Sequence, residues 1–233
     1  MTKFTTGETL VSSLQLGTPG LSYPTNAQLT PDGSQLYVTV NSAGTGGVDA
    51  VVVVNTAGSM SITATLDEGP SPMMYDETTA LAVTAAAAYI GNPDQYTDGS
   101  WSIMVICNSD HSVSYVNYLE TNPNGGYQEG IGGLAMSADG STAYVADNYN
   151  GVLSQVTNAG EVASTYDSAF YNATNVFLTG ATGYVTRGNN QLIQFNTSDL
   201  SEGATLTVTG GSFNQPTARN AINFVTDGST LTS

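Results

Sequence analysis

Apolar and polar residues alternate along much of the chain, with the two-residue period of strands that bury one face. In the clearest stretch, residues 27–40, an apolar segment is followed by a Pro-Asp-Gly turn and by alternating Leu36, Val38 and Val40. Proline presets φ, aspartate bonds to its own backbone and glycine accepts positive φ, so Pro31, Asp32 and Gly33 favour a tight turn. The stretch therefore predicts a β-hairpin.

Variants of this hairpin recur with a period of about 45 residues, the repeat length typical of propeller blades. The second strand of each copy is marked in turn by LYVT, LAVT, AYVA, GYVT and TLTS. Four copies are predicted at residues 21–67, 68–120, 121–167 and 168–211. A fifth copy begins at residues 212–233 and lacks its last two strands, which residues 1–20 supply.

The second copy carries the one predicted departure from the repeat. Its first two strands are assigned to residues 72–75 and 80–84, and its last two to residues 101–108 and 112–119. Residues 85–100 (AAAAYIGNPDQYTDGS) then form a long loop, because Gly91 and Pro93 stop any helix that the alanines start. Long irregular loops are commonly functional, so this loop is the predicted centre of an interaction surface.

Four short antiparallel strands per copy predict an all-β, five-bladed β-propeller forming a single domain. Pairing of residues 230–233 with residues 2–7 would close the ring and remove free sheet edges. The competing architecture is an open β-solenoid, whose coils are usually shorter and do not share a split copy between the two ends.

The copies resemble the YVTN family of β-propeller repeats. The resemblance is carried by residues 26–41 (NAQLTPDGSQLYVTVN) and 132–147 (GGLAMSADGSTAYVAD), and residues 4–17 resemble the family's outer-strand half. The family includes binding proteins, surface proteins and some enzymes. The resemblance therefore implies the fold far more than the function.

The charge of the chain excludes some partners. Net charge is −16, and only Lys3, Arg187 and Arg219 are positive. A phosphate backbone and an anionic membrane surface would both be repelled, so we expect no nucleic-acid binding and no membrane insertion. The acidity has two readings, solubility and adaptation to a saline or calcium-rich exterior.

Cysteine usage and segment hydropathy add three expectations. Cys107 is alone, which excludes an internal disulfide, and its apolar surroundings predict a buried small side chain. The N-terminal sequence MTKFTTGETL lacks the basic-then-apolar pattern of a signal peptide. No apolar run approaches the roughly 20 residues of a membrane span.

Catalytic constellations are weak. Glycoside hydrolysis needs two carboxylates across a pocket, but the strands expected to line the channel contain no Asp or Glu. The single histidine, His111, is predicted to lie in a turn between outer strands, away from the loops that would form a site. A catalytic triad or a His-rich metal site is therefore not supported.

Two weak metal signals involve aspartates. Residues 147–151 (DNYNG) miss the calcium-loop spacing because Tyr149 occupies the third position, so a tight turn is the preferred reading. Asp94 and Asp98 in the long loop could hold a cation such as calcium together with backbone carbonyls. No cofactor is otherwise implied.

Aromatic residues give the better signal. Tyrosine and tryptophan in polar Ser/Asn/Gly loops form rigid, amphipathic contact surfaces, although the same rings could simply cover the blade ends. The candidate ligand- or partner-binding residues are Tyr89, Tyr96, Asp98, Trp101, Tyr127, Tyr149 and Tyr171.

These observations predict a non-catalytic binding or structural-interaction propeller on an extracellular, cell-surface or virion assembly. The expected partner is a protein or a glycan, and a homo-oligomer is compatible with this reading. The alternative is a hydrolase or lactonase-like propeller with a divalent metal at the channel mouth.

Overall fold

A computed structural model of the protein describes residues 2–4, 10–16, 23–41, 50–67, 80–92, 101–118, 131–147, 151–188 and 190–207. Within these ranges the chain is all-β, apart from one 3-10 turn at Ser168–Phe170. None of the helical structure there is long and apolar enough to cross a bilayer. The strands are β1 (Thr2–Phe4), β2 (Leu10–Ser13), β3 (Tyr23–Leu29), β4 (Gln35–Asn41), β5 (Ala50–Asn55), β6 (Ser61–Asp67), β7 (Ala80–Val83), β8 (Ala87–Asn92), β9 (Trp101–Cys107), β10 (Val113–Tyr118), β11 (Ile131–Met136), β12 (Ala143–Asp147), β13 (Val152–Thr157), β14 (Gly160–Tyr166), β15 (Ala173–Thr179), β16 (Thr182–Arg187), β17 (Gln191–Asn196) and β18 (Glu202–Thr207).

Sixteen of these strands form four antiparallel sheets of four strands each, in simple up-and-down order. Sheet 1 is β3-β4-β5-β6, sheet 2 is β7-β8-β9-β10, sheet 3 is β11-β12-β13-β14 and sheet 4 is β15-β16-β17-β18. The predicted all-β fold of four-stranded antiparallel repeats is confirmed. The fifth copy, from residue 212, lies outside the described residues.

The N-terminal strands form a hairpin of their own, in which β1 pairs antiparallel with β2 and Thr2 lies opposite Ser13. Leu16, which follows this hairpin, is 5% exposed and belongs to a core cluster with Val38, Val40 and Val52 of sheet 1. One face of sheet 1 is therefore covered by N-terminal residues. The predicted partner of β1, residues 230–233, lies outside the described residues.

The strand assignment in the second copy was wrong by one strand. Ala80–Val83 is the first strand of sheet 2, and the second strand, Ala87–Asn92, occupies the first half of the predicted long loop. The alanines form a strand rather than a helix start because both faces of this sheet are buried: Ala88 is fully buried on one side and Ala87 nearly so on the other. Small side chains there let neighbouring sheets approach closely.

The sheets stack side by side through alternating residues. Tyr37 and Val51 of sheet 1 pack with Ile90 and Met104 of sheet 2. The opposite face of sheet 2 packs on sheet 3, and the far face of sheet 3 packs on sheet 4. Each strand must therefore be apolar on both faces, which explains the nearly continuous apolar runs at β5 and β12.

First strands of adjacent sheets lie next to each other: β3 contacts β7, β7 contacts β11, and β11 contacts β15. Gly133 on β11 shows how close this approach is, because a Cβ there would lie 2.5 Å from the backbone carbonyl carbon of Asn175 on β15. A common edge formed by the first strands, with sheets radiating from it, is the arrangement of propeller blades.

Antiparallel order gives the molecule two distinct ends. We call the turn end the one with the turns joining first to second and third to fourth strands (residues 30–34, 56–60, 84–86, 108–112, 137–142, 158–159, 180–181 and 197–201). We call the loop end the opposite one, which carries the connections between second and third strands and between successive sheets. Its described connecting residues are 14–16, 151, 167–172, 188 and 190.

In sheets 1, 2 and 3, a tyrosine on the second strand points toward the turn end of the next sheet. The hydroxyl of Tyr37 donates to Asn108 Oδ1 at 2.9 Å, and that of Tyr144 donates to the carbonyl of Thr197 at 3.0 Å. Tyr89 makes the equivalent contact with the carbonyl of Gly140 at 3.5 Å. Burial raises the pKa of Tyr37 to about 12, so its hydroxyl remains a donor throughout the physiological range.

Candidate binding surface at the loop end

At the turn end, aspartate side chains form hydrogen bonds with neighbouring residues of the same turn. Asp139 accepts from the Ser137 and Ser141 hydroxyls at 2.6 and 2.8 Å, and these bonds lower its pKa to about 2. Asp32 is bonded in the same way by Thr30 and Ser34, which also lowers its pKa. The prediction that Asp32 serves turn formation is confirmed, and Asp139 does the same in sheet 3.

His111 belongs to this same end. It lies in the turn between β9 and β10, as predicted, with φ of 57°, and its Nε2 is 3.4 Å from Gln35 Nε2 of sheet 1. The ring is half-buried rather than exposed. Cys107, at the end of β9, was expected to be buried but is only partly so, and its sulfur lies 3.2 Å from the Ser109 hydroxyl. Both residues contribute to the turn, and His111 also contributes to contact between sheets 1 and 2.

The loop end contains the more unusual groups. Between sheets 3 and 4, Asp167 caps the 3-10 turn by accepting from the Ala169 amide at 2.9 Å, and Phe170 anchors the turn in the core. This fixes Tyr171 beside Gly151: a Cβ on Gly151, where φ is +68°, would lie 3.1 Å from the Tyr171 ring and 2.7 Å from the Asp167 carbonyl. Glycine is required there by both conformation and space.

Adjacent to this turn, the Gly188 amide donates to the Asn172 carbonyl at 3.2 Å. The end of β16 is thereby joined to the turn that carries Tyr171. We call Gly151, Tyr171, Asn172, Arg187 and Gln191 the rim; these residues come from sheets 3 and 4 and from the connection between them.

Strand register shows that charged residues occupy a core position at this end. Val40, Asp147 and Arg187 are equivalent, since they lie opposite Pro24, Ile131 and Ala173 on the preceding first strands. A repeated threonine pair supports the alignment: the hydroxyls of Thr25 and Thr39 are 2.8 Å apart in sheet 1, and those of Thr174 and Thr186 are 2.9 Å apart in sheet 4.

Val40 is 1% exposed at this position and Asp147 only 4%. A buried carboxylate in sheet 3 and the half-buried guanidinium of Arg187 in sheet 4 thus replace an aliphatic side chain. Buried charges are costly unless they are well partnered, and they are common where a protein binds something. Asp147 makes polar interactions of its own.

Arg187 is less completely partnered. It shares a strand face with buried Val185, which packs in the core between sheets 3 and 4. Its Nη1 donates to Gln191 Oε1 at 3.4 Å. Its Nε is buried and has no hydrogen-bond partner. No other buried side-chain nitrogen or oxygen of the described residues lacks a partner.

The predicted site residues are only partly brought together. Tyr171 lies on the rim, and residues 148–150, which contain Tyr149, directly precede Gly151. Tyr89 is instead a core residue of β8, 8% exposed, because its segment is a strand and its hydroxyl points to the turn end. Trp101 begins β9, and Tyr96, Asp98, Tyr127 and Tyr149 lie outside the described residues.

The correction in sheet 2 also changes the status of the predicted insertion. Its loop between second and third strands is reduced to residues 93–100, the same extent as residues 42–49 in sheet 1. The loop is therefore as long as its counterpart in sheet 1 and longer than those of sheets 3 and 4. The residue at the Val40 position also differs between the sheets.

Arg187 was missed as a site residue. Aligning LYVTV, AYVAD and GYVTR on their tyrosines places a valine, an aspartate and an arginine at one position. This signal was in the sequence, but only the strand register shows that the position is a core one.

Among the described residues, no three or more His, Cys, Asp or Glu side chains are grouped so as to hold a metal ion. Asp147 is the last residue of β12, and Gly151 turns with positive φ four residues later. The described residues therefore provide no specific observation in favour of the metal-dependent alternative, a hydrolase or lactonase-like propeller.

No protein-family model matches the chain, and no curated protein sequence matches it. Two solved structures resemble its fold: Kuenenia stuttgartiensis hydrazine synthase, with a TM-score of 0.57, 19% identity and coverage of 79% of this chain and 49% of that chain, and a chain of the mitotic checkpoint complex, with a TM-score of 0.59, 13% identity and coverage of 84% and 54%. Both are propeller-like proteins. The chain spans about half the length of each, and identities this low establish only the fold.

Proposed function

We propose that the protein is a non-catalytic binding propeller that contacts a protein partner through the rim at its loop end. The observation that carries the proposal is Arg187: a half-buried cation stands at the position that buried Val40 fills in sheet 1, next to the turn that carries Tyr171. Tyrosine and arginine are the residue types that most often dominate protein interfaces. Rigid attachment of Tyr171 to Phe170 and Gly151 lowers the entropy lost on binding.

The fold we propose for this function is a closed ring of five blades, with the fifth blade shared between residues 212–233 and the N-terminal hairpin. The burial of Leu16 on sheet 1 supports it, because the hairpin then flanks the side of sheet 1 that is opposite sheet 2. A ring closed in this way would place the fifth blade beside Tyr184, the second-strand tyrosine of sheet 4, as sheet 2 lies beside Tyr37.

We further propose that the protein acts in an extracellular, cell-surface or virion assembly. The chain has 9% charged residues and a net charge of −16, so its surface consists mainly of hydroxyls, amides and carboxylates. Such a surface suits an exposed scaffold. One structural neighbour is part of a complex, the mitotic checkpoint complex, which shows that related folds take part in protein assemblies.

Site-specific photo-crosslinking tests the contact surface. A photoreactive phenylalanine analogue is placed at Tyr171 on the rim or, as the matched control, at exposed Ser198 in the turn between β17 and β18. Both proteins are irradiated in extract and secreted fraction of the source cells, and the products are separated by mass. We expect a discrete crosslinked protein from position 171 and none from position 198.

Equal crosslinking from both positions, or a product from 198 alone, would contradict the proposal. A glycan partner would be recognised by loss of the product after glycosidase treatment, which would also contradict a protein contact. Unlabelled wild-type protein added in excess must compete with the product, since a specific surface is saturable.

A further inference from the structure

We infer that Asn196 carries an N-linked glycan, transferred to it from a lipid-linked oligosaccharide during export of the chain. This inference rests on the proposed function, which places the protein outside the cell, because such transfer takes place on the outer side of the membrane. The sequence contains two Asn-X-Ser/Thr sequons, at residues 172–174 (NAT) and 196–198 (NTS). Their surroundings in the fold differ, and they favour the second.

The sequon at residues 196–198 lies in the turn between β17 and β18, at the turn end of sheet 4. Asn196 and Ser198 are both exposed, whereas Leu200 is 1% exposed and anchors the turn in the core. The Asn196 amide donates to the Ser201 carbonyl at 3.0 Å, and the Leu200 amide donates to the Asn196 carbonyl at 2.9 Å. A sugar chain is bulky and needs an exposed acceptor, which this turn provides.

The side chain of Asn196 is oriented by the other polar residue of its sequon. Its Oδ1 accepts from the Ser198 amide at 2.9 Å and from the Ser198 hydroxyl at 3.0 Å. A backbone amide can only donate, so the atom that faces it must be the oxygen. Nδ2, the atom that accepts a sugar, makes no hydrogen bond with the described residues. Because these contacts span three residues, they can form before the sheets assemble.

The proposed step is a substitution at the anomeric carbon of the sugar. Nδ2 of Asn196 attacks C1 of a polyprenyl-phosphate- or pyrophosphate-linked oligosaccharide. The C1–N bond forms while the C1–O bond to the phosphate breaks, and the lipid phosphate leaves with the bonding electron pair. One proton of the amide NH₂ passes to a base of the transferase, so no redox partner is needed.

The sequon at residues 172–174 is surrounded differently. Asn172 is exposed, but Ala173 is only 1% exposed, and the Thr174 hydroxyl lies 2.9 Å from that of Thr186 on the neighbouring strand. The hydroxyl of this sequon is therefore bonded across the sheet and not to its own asparagine. Asn172 also belongs to the rim, where a glycan would cover the proposed contact surface. We expect this asparagine to be unmodified.

Trypsin separates the two sequons, because the lysine and arginine residues of the chain are Lys3, Arg187 and Arg219. Residues 188–219 form one tryptic peptide, which contains Asn196 and no other sequon. The full-length chain is purified from the secreted or surface fraction of its source cells and digested after denaturation, and the peptide masses are measured. We expect peptide 188–219 to exceed its sequence mass by a whole number of sugar residues, and peptide 4–187 to have its sequence mass.

Matched variants show whether the added mass depends on the sequon. Asn196→Gln and Ser198→Ala should remove it, whereas Ser198→Thr should retain it, because threonine keeps the required hydroxyl. Peptide 188–219 at its sequence mass in the wild type, or added mass that persists in Ser198→Ala, would overturn the inference. Added mass on peptide 4–187 alone would overturn the choice of Asn196.

The glycan and the proposed contact surface can fail separately. An unmodified peptide 188–219, together with a crosslinked protein from position 171, would refute the glycan and leave the surface standing. A glycosylated peptide without a crosslinked protein would support the glycan and count against the surface. Because any substitution at Ser198 other than threonine removes the sequon, the crosslinking control at that position carries no glycan beside its probe.

Discussion

The turn end and the loop end of the sheets differ in how their polar residues are used. At the turn end, aspartates accept from serine or threonine hydroxyls in four of the turns, at residues 30–34, 108–112, 137–142 and 197–201. The second-strand tyrosines of sheets 1, 2 and 3 bond to turns of the next sheet. At the loop end, the Val40 position becomes Asp147 in sheet 3 and Arg187 in sheet 4. Repeated polar contacts within the turns are what we expect of a structural element, whereas the change of residue at the Val40 position supports the binding role proposed for the loop end.

The comparison predicts that losses of stability concentrate at the turn end. Tyr37 is fully buried, so Tyr37→Ala should lower the free energy of unfolding by about 4 kcal/mol, as expected for truncation of a buried aromatic ring. Tyr171→Ala at the rim should cost less than about 1 kcal/mol. Urea denaturation followed by circular dichroism measures both. A larger loss for Tyr171→Ala than for Tyr37→Ala would reverse the roles assigned to the two ends.

A substitution at the rim should stabilise the protein. Arg187→Met removes a charged donor whose Nε lacks an acceptor and keeps an apolar side chain of similar reach. The free energy of unfolding should therefore rise by about 1–2 kcal/mol. The same urea experiment checks this, with Arg187→Gln as a polar control that should gain less. A destabilised Arg187→Met would show that the guanidinium serves the fold.

The tyrosine hydroxyls allow a graded test within the turn end. Tyr144→Phe removes a 3.0 Å bond to Thr197 and should cost about 1 kcal/mol. Tyr89→Phe removes a contact of 3.5 Å, at the limit of hydrogen bonding, and should cost less. Equal losses of stability for the two variants in thermal denaturation would mean that the length of the hydrogen bond does not determine how much each hydroxyl stabilises the protein.

The turn aspartates predict a small acid dependence. Asp139, Asp32, Asp110 and Asp199 have pKa values lowered by hydrogen bonds from neighbouring hydroxyls and amides. A lowered pKa in the folded state contributes stability that is present above the ordinary value of 3.8 and is lost as pH falls through the folded value, about 2 for Asp139. The melting temperature of Asp139→Asn should therefore fall less than that of the wild type as the pH is lowered from 3.8 to about 2. An identical slope in wild type and variant would argue against the hydrogen-bonded carboxylate.

Strand positions were largely readable from the sequence because alternation and turn chemistry are local. The last two strands of sheet 2, Trp101–Cys107 and Val113–Tyr118, agree with the predicted residues 101–108 and 112–119. The prediction of the first two strands of sheet 2 was wrong because the turn between them, residues 84–86, lacks the Pro-Asp-Gly signal. Thr84 instead accepts from the Ala87 amide through its hydroxyl, at 3.1 Å.

The rim was harder to predict because it depends on register between strands distant in sequence. Tyr171 was found from its residue type and loop position. Tyr89 has the same residue type, but the missed strand placed it in the core. Arg187 needed the knowledge that its position is buried in sheet 1, which composition and spacing do not contain.

The division between a structural end and a recognition end is tested most directly by amide hydrogen exchange on the protein with and without the partner identified by crosslinking. The account predicts slower exchange on binding at Gly151, Tyr171, Asn172 and Gln191, with unchanged exchange at residues 108–112 and 197–201. Slower exchange at those turns, with the rim unchanged, would contradict it.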